Sequence, residues 1–113
     1  PRFYLTRGLE NCLYIFSEDE WVSFVDRIRN ALPNSKTGYR DAYNHFVHNA
    51  VECEADKQGR ILIPQELREY ASIDKDILFI GEMTKVQAWN PAMYKDPDVG
   101  NVRTTLEELN IIL

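Results

Sequence analysis

The feature that most constrains the fold of this 113-residue chain is a pattern that recurs 73 positions later. Each copy reads as strand, turn, strand and helix start, with its apolar positions and one glycine in step. The matched pairs are Leu5 with Leu78, Gly8 with Gly81, Leu13 with Val86, Phe16 with Trp89 and Trp21 with Tyr94. Short apolar strands can match by chance, but the glycine in register favours a true repeat and hence two similar hairpins.

The first hairpin is predicted over residues 3–16, and a helix is predicted to follow it. Ser17 and Glu20 form a capping box, and the apolar residues after them recur at helical spacing. Pro33 is predicted to end the first helix, and a loop at 34–38 and a second helix at 39–49 are predicted to follow. Next come predicted strands at 51–55 and 60–63 around a turn at 56–59, and a short helix at 65–70 with Pro64 at its first position. The last predicted elements are a hairpin of strands 76–80 and 85–89, a polar loop at 96–101, and a terminal helix capped by Thr105. Aromatic residues of the first two helices lie at helical spacing, which is typical of a core or of a subunit interface.

Composition excludes several classes of protein. An apolar fraction of 44% with 27% charged residues is typical of a folded globular domain. The longest apolar runs are far shorter than the roughly 20 residues that span a bilayer, so no membrane segment is expected. Thirteen basic and 18 acidic residues give a net charge of −5, which argues against binding nucleic acid through bulk positive charge. This net charge still allows a DNA-binding protein that concentrates a few arginines on one face.

No arrangement typical of an enzyme or of a cofactor or metal site occurs, so no cofactor is expected. His45 and His48 lie three positions apart, but no cysteine or acidic cluster completes a metal site, so we expect surface or interface histidines. Cys12 and Cys53 are expected to be buried, reduced strand residues of a cytoplasmic protein. Ser17 is better explained as a helix cap than as a nucleophile.

Two separated segments carry a family resemblance. Residues 54–68 contain an Asp-x-x-Gly-Arg turn, an aliphatic strand, Pro64, and Arg68 four residues later. Residues 6–13, followed by Trp21, form the second segment. In this order the two segments resemble the MraZ family, and the resemblance covers residues 3 to about 94.

The resemblance implies an α+β fold, a small AbrB/MraZ-like swapped-hairpin β-barrel with two helices between the repeat halves. Family members carry two Asp-x-x-Gly-Arg modules, whereas this sequence shows only the second. We therefore expect the C-terminal part of a first module at 1–16, a two-helix connection at 17–50, the second module at 51–94 and a C-terminal tail at 95–113. Upstream residues or another subunit are expected to supply the missing strands, because unpaired strand edges are sticky.

The resemblance also implies a function. The expected protein is a transcriptional regulator of a bacterial division and cell-wall gene cluster, associated with the nucleoid. Its expected partners are double-stranded DNA with direct repeats and further copies of itself in a ring. Two alternatives stay open: an oligomeric scaffold that regulates a partner enzyme without DNA contact, and an enzyme, which no group of residues supports.

Within the motif, some residues are expected to shape the turn and others to bind. Asp56 can accept backbone N–H bonds, and Gly59 can adopt a positive φ. Arg60 can contact DNA, which the resemblance favours, or pair with Glu52, Glu54 or Asp56. Lys57 is a candidate phosphate contact.

Arg68 is the third candidate DNA contact, although it can instead serve the barrel or a subunit interface. Residues 52–70 hold three basic and five acidic side chains, so one subunit is expected to bind DNA weakly. Several subunits on repeated sites gain through effective concentration, so the DNA hypothesis requires an oligomer.

Overall fold

The computed structural model describes residues 1–31 and 36–112. They form a five-stranded antiparallel sheet with helices, which confirms the α+β class. The elements are β1 (Arg2–Arg7), β2 (Leu13–Ser17), α1 (Glu18–Asn30), α2 (Lys36–Tyr43), a π-helical turn (Asn44–His48), β3 (Val51–Glu54), α3 (Gln65–Tyr70), β4 (Leu78–Gly81), β5 (Val86–Trp89) and α4 (Val99–Glu108). None of these helices is long and apolar enough to cross a membrane.

Both predicted hairpins form, and they lie side by side in the strand order β3-β1-β2-β5-β4. The central pairs between β2 and β5 are Leu13 with Ala88, Tyr14 with Gln87 and Ile15 with Val86. Since Ala88 and Val86 are the counterparts of Ile15 and Leu13 at the 73-residue offset, this pairing is symmetric about Tyr14 and Gln87. A twofold repeat would produce such an arrangement.

The symmetry is incomplete within the hairpins. Leu5 lies opposite Ile15, whereas Leu78 lies opposite Trp89 rather than Ala88, a difference of one residue in register. Leu5 is fully buried and Leu78 only half-buried. The two leucines therefore do not occupy matching core positions.

Alternation along the strands gives the sheet two different apolar faces. One face is aliphatic and packs against α3 and the segments on either side of it. Its buried residues are Leu5, Leu13, Ile15, Ile63, Leu67, Ala71, Ile73 and Ala88. This face fixes α3, and with it the end of the Asp-x-x-Gly-Arg segment, against the sheet.

The opposite face is aromatic and carries α1 and the π-helical turn. Trp21 stacks on Tyr4, and Phe24 packs between Phe16 and Phe46, with ring centroids 5.0–5.4 Å apart. Such pairs add to the stabilisation from buried area alone. The aromatic residues of the two helical segments, whose role the sequence left open, thus include part of this core.

The boundaries of α1 and α2 follow local chemistry. Ser17 caps α1, since its hydroxyl accepts a hydrogen bond from the Glu20 backbone N–H at 3.4 Å. The predicted end at Pro33 lies outside the described residues, and so do residues 34 and 35 of the predicted loop. The prediction of a loop at 36–38 is wrong, because α2 begins at Lys36.

The second predicted helix changes character halfway. Its C-terminal part is the π-helical turn, where Asn49 donates its side-chain amide to the carbonyls of Asn44 and His45. The buried Thr6 hydroxyl donates to the Phe46 carbonyl at 2.6 Å. These side chains donate to backbone carbonyl groups in the π-helical turn.

Besides that loop, three predictions are wrong. Residues 60–63 form no strand, because no other strand among the described residues lies beside them to bond their backbone. Ile63 is nevertheless buried, so the aliphatic pattern reported burial rather than pairing. Thr105 lies inside α4, because the Asp98 carboxylate caps the helix earlier by accepting from the Gly100 N–H at 2.8 Å. The helix therefore also replaces the predicted polar loop at 96–101 from Val99 onward.

Candidate nucleic-acid interface

The segment from Asp56 to Arg60 is a closed turn with the Asp56 carboxylate at its centre. One oxygen, Oδ1, accepts the backbone N–H groups of Gln58 and Arg60, each at 2.9 Å. The Asp56 N–H donates to the Arg60 carbonyl at 2.8 Å, and the Gly59 N–H donates to the Asp56 carbonyl at 3.0 Å. Gly59 has a φ of 79°, which glycine adopts without strain. The turn therefore holds its own shape.

Arg60 is both paired and exposed. Its Nε lies 2.9 Å from Oδ2 of Asp56, while 73% of its side chain is accessible. The other two carboxylates considered for it are engaged elsewhere, because Glu52 and Glu54 pair with Arg2 at 3.1 and 3.6 Å. The ion pair and an outward guanidinium thus occur together, since Asp56 bonds the Nε edge of the group.

The electrostatics favour an ionised turn. The backbone N–H of Arg60, then that of Gln58 and the Arg60 side chain, hold the pKa of the Asp56 carboxyl below its ordinary value. Asp56 therefore stays negative at neutral pH and keeps orienting Arg60. Locally the turn carries two basic groups, Lys57 and Arg60, against one acidic group.

Lys57 and Arg68 lie in contrasting environments. Lys57 is exposed on the turn beside Asp56. Arg68 lies on α3 and is half-buried, and its Nε is buried with no hydrogen-bond partner among the described residues. An unpaired buried donor of this kind is rare and costly.

A polar junction that the sequence did not indicate holds α3 to the first hairpin. The Gly8 carbonyl accepts from the Tyr70 hydroxyl and from Nε2 of His45, both at 2.8 Å. His45 is therefore half-buried and bonded rather than fully exposed, whereas His48 is exposed. An interface position for either histidine stays a prediction. No local signal links positions 37 and 62 residues apart in the chain.

The free cysteines offer little reactivity, because burial raises the pKa of both thiols, Cys12 and Cys53. Cys12 is buried, as expected, whereas Cys53 is only partly so. Across residues 1–31 and 36–112, no group of three or more histidine, cysteine, aspartate or glutamate residues could hold a metal ion. The Asp56–Arg60 turn stays the candidate site, with Lys57 and Arg60 exposed on it.

Comparison with known proteins supports the resemblance. The family model described as "MraZ protein, putative antitoxin-like" matches residues 46–97. A protein of Caldanaerobacter subterraneus subsp. tengcongensis named "Transcriptional regulator MraZ" is 46% identical over 84% of this chain and 66% of its own length. Its namesake in Thermoanaerobacter pseudethanolicus is 43% identical over 97% of this chain and 80% of its own length. A third, in Lachnoclostridium phytofermentans, is 40% identical over 88% of this chain and 70% of its own length.

The chain thus spans between just under two thirds and four fifths of the length of these relatives. Their shared name is that of a transcriptional regulator and not of an enzyme, in agreement with the expectation from the sequence. Identity above 40% across nearly the whole chain, with the motif inside the matched region, is decisive: the chain belongs to the MraZ family.

Proposed function

We propose that this chain is a transcriptional regulator that binds double-stranded DNA through the Asp56–Arg60 turn. The observation that carries the proposal is the state of Arg60. Asp56 bonds Nε of the guanidinium, and 73% of the side chain is exposed on a turn whose backbone is fixed. Its relatives' name, transcriptional regulator, supports the same conclusion.

The geometry suits the reading of guanine. Arginine contacts O6 and N7 of that base through two N–H groups in the major groove. Because Asp56 already bonds Nε, the two terminal nitrogens can point outward with less loss of side-chain freedom. Lys57, one residue from Asp56, is proposed to neutralise a phosphate and so to add to the salt dependence.

Arg68 keeps its place as a proposed third contact, with a weaker case. Its partly buried guanidinium lies on α3 rather than on the exposed turn. If it touches DNA, its replacement by alanine lowers affinity without lowering the melting temperature. If it serves a barrel or subunit contact, the melting temperature or the subunit number falls.

The biological assembly is part of the proposal. Each turn offers only two cations, so tight binding requires several subunits on direct repeats, where effective concentration multiplies weak contacts. A ring of identical subunits supplies such repetition. The swapped-hairpin barrel, the division at residues 16, 50 and 94, a nucleoid location and a division and cell-wall gene cluster as target belong to the same proposal.

The test is a titration of direct-repeat DNA with wild type and Arg60→Ala, followed by fluorescence anisotropy at several salt concentrations. The expected loss is about 1–3 kcal/mol per engaged subunit. Lys57→Ala should lower the salt slope by about one. Arg29→Ala, which removes an exposed arginine of α1, is the matched control and should leave affinity nearly unchanged.

Thermal melts decide between DNA contact and a turn-holding role. Arg60→Ala should melt close to wild type, because an exposed ion pair contributes little. Unchanged affinity with an intact fold would remove Arg60 from the interface. Absence of any salt-dependent binding to repeat DNA would instead favour the scaffold without DNA contact.

A further inference from the structure

Two glutamates lie on the strand that leads into the Asp56–Arg60 turn. Glu52 and Glu54 occupy exposed positions of β3, and alternation along an extended chain places them on the same face as Asp56. Successive side chains on one face of a strand are about 6–7 Å apart, a distance that a long arginine side chain can span. Both glutamates are therefore potential competitors of Asp56 for the guanidinium of Arg60.

The backbone places Arg60 beside these carboxylates. The Asp56 N–H donates to the Arg60 carbonyl at 2.8 Å, and Sγ of Cys53 donates to the Leu62 carbonyl at 3.6 Å. The segment after the turn thus runs back alongside β3. The bond from Arg60 to Asp56 uses only Nε, whereas a second bond to Glu54 would occupy one of the donors that a bidentate guanine contact needs.

Arg2 engages both glutamates. It lies on β1, opposite Glu54 in the antiparallel pairing with β3. Its Nη1 is 3.1 Å from a carboxylate oxygen of Glu52, and its Nε is 3.6 Å from one of Glu54. The Arg2 side chain is 53% exposed, so these pairs lie at the surface and contribute little to stability. Residues 52–60 hold three carboxylates against two cations, and Arg2 supplies a third cation.

We propose that Arg2 is a positioning residue for DNA recognition. By pairing with Glu52 and Glu54, it keeps both carboxylates from bonding the Arg60 guanidinium. Arg2 acts through the two glutamates and does not itself touch DNA. The inference rests on the proposed function, since it concerns the affinity and base preference of the same turn. It gives the first hairpin, which lies outside the Asp-x-x-Gly-Arg segment, a part in recognition.

The decisive experiment is a mutant cycle measured by fluorescence anisotropy on direct-repeat DNA. Arg2→Gln keeps part of the aliphatic stem but removes the charge. It should weaken binding about two- to fivefold per engaged subunit, which corresponds to one exposed ion pair gained by Arg60. In a background that carries Glu52→Gln and Glu54→Gln, the same substitution should have almost no effect, because no glutamate is left to compete. Arg2→Lys keeps a charge that can pair with both glutamates and should bind close to wild type.

Base preference is the second readout. Arg2→Gln should weaken binding to the direct repeat more than binding to a scrambled duplex of equal length. The reason is that a diverted Arg60 loses base contacts but keeps its charge near the phosphates. A loss that is equal on both duplexes and in both protein backgrounds would mean that Arg2 acts through its charge alone or contacts a phosphate itself. Either result overturns the proposal.

Controls separate this role from the fold and from the proposed function. Arg29→Gln removes the same charge from α1 and should bind like wild type. All variants should melt close to wild type. A lower melting temperature for Arg2→Gln in both backgrounds, with a matching loss of affinity, would assign Arg2 to strand pairing and overturn the proposal.

Failure of the proposed function gives a different result. If Arg60→Ala weakens DNA binding while Arg2→Gln does not, only the role of Arg2 is overturned. If wild type itself binds no DNA, the proposed function is overturned, and the role of Arg2 with it.

Discussion

The two hairpins of the sheet share a sequence pattern but differ in how they are held. Leu5 and Leu13 of the first hairpin are completely buried, and β3 covers the outer edge of β1. In the second, β4 is an edge strand of the described sheet, with Phe79 56% exposed and Met83 in the turn fully exposed. The two hairpins therefore differ in burial along with their positions in the sheet.

The two hairpin glycines show the same difference at closer range. A Cβ at Gly8 would lie 2.6 Å from Sγ of Cys12 and 2.9 Å from Cε1 of Tyr14. At Gly81 a Cβ would meet no atom within 4 Å. Gly8 is therefore required by close packing, whereas Gly81 is not, and the glycine in register is weaker support for a repeat than it appeared in the sequence.

Truncation of the two matched leucines should give the largest difference in unfolding free energy between the hairpins. Leu5→Ala leaves a cavity in the aliphatic core and should cost about 2–5 kcal/mol of unfolding free energy. Leu78→Ala, at a half-buried position, should cost clearly less. Chemical denaturation of both variants measures the difference. Equal losses would show that the two hairpins contribute alike, as an exact repeat requires.

The glycine pair gives the next largest contrast. Gly8→Ala forces the Cys12 and Tyr14 side chains to move, and overpacking of this kind costs about 1–3 kcal/mol. Gly81→Ala should be nearly neutral, because the added methyl group meets open space. Thermal melts of the two variants suffice. A large loss of stability in Gly81→Ala would mean that other atoms contact Gly81 in solution.

Much of the fold was predictable, since it depended on local chemistry. The helix cap at Ser17, the alternation through Cys53 and the spacing after Trp21 each reflect a rule that acts within a few residues. The strand at 60–63 failed because pairing needs a neighbour that no local pattern specifies. The cap at Thr105 failed because Asp98 satisfies the same backbone groups earlier in the chain.

The candidate site was predictable in composition but not in arrangement. The sequence could name Asp56 as a possible partner of Arg60, but not that the pairing uses Nε and leaves the side chain exposed. It could not find the junction at Gly8, because His45 and Tyr70 reach that carbonyl across long stretches of chain. Tertiary contacts of this kind produce no residue spacing that a sequence pattern could reveal.

Loss of one hydrogen bond at Gly8, in the turn of the first hairpin, should have a smaller effect on the free energy of unfolding. Tyr70→Phe removes the hydroxyl that donates to the Gly8 carbonyl and should cost about 1 kcal/mol. Tyr94→Phe is the matched control beyond the second hairpin, because it removes a tyrosine hydroxyl while the ring keeps its contact with Trp89. Denaturation midpoints at neutral pH compare them. Equal midpoints would show that the Gly8 junction adds nothing to stability.

Acid titration should give the smallest effect, and of the two hairpin turns it should act mainly on the second. The Lys85 ammonium, 3.0 Å away, and then the Gln87 amide hold the pKa of the Glu82 carboxyl below its ordinary 4.5. A carboxyl whose pKa is lowered by folding stabilises the folded state above its unfolded pKa and loses that contribution as pH falls through the folded pKa. The turn joining β4 and β5 should therefore loosen only below about pH 4.5.

The measurement is amide hydrogen exchange or chemical shift at residues 82–85 and at residues 8–12 between pH 6 and pH 3, a range of about three units that spans the carboxyl titration. Residues 8–12 should change less, because the Gly8 carbonyl accepts from two donors, the Tyr70 hydroxyl and Nε2–H of His45, and no carboxyl takes part in that junction. Glu82→Gln is the control and should abolish the acid response of the second turn. An acid response that survives this substitution, or one equal at both corners, would show that neither packing nor the Glu82–Lys85 pair distinguishes the two hairpins.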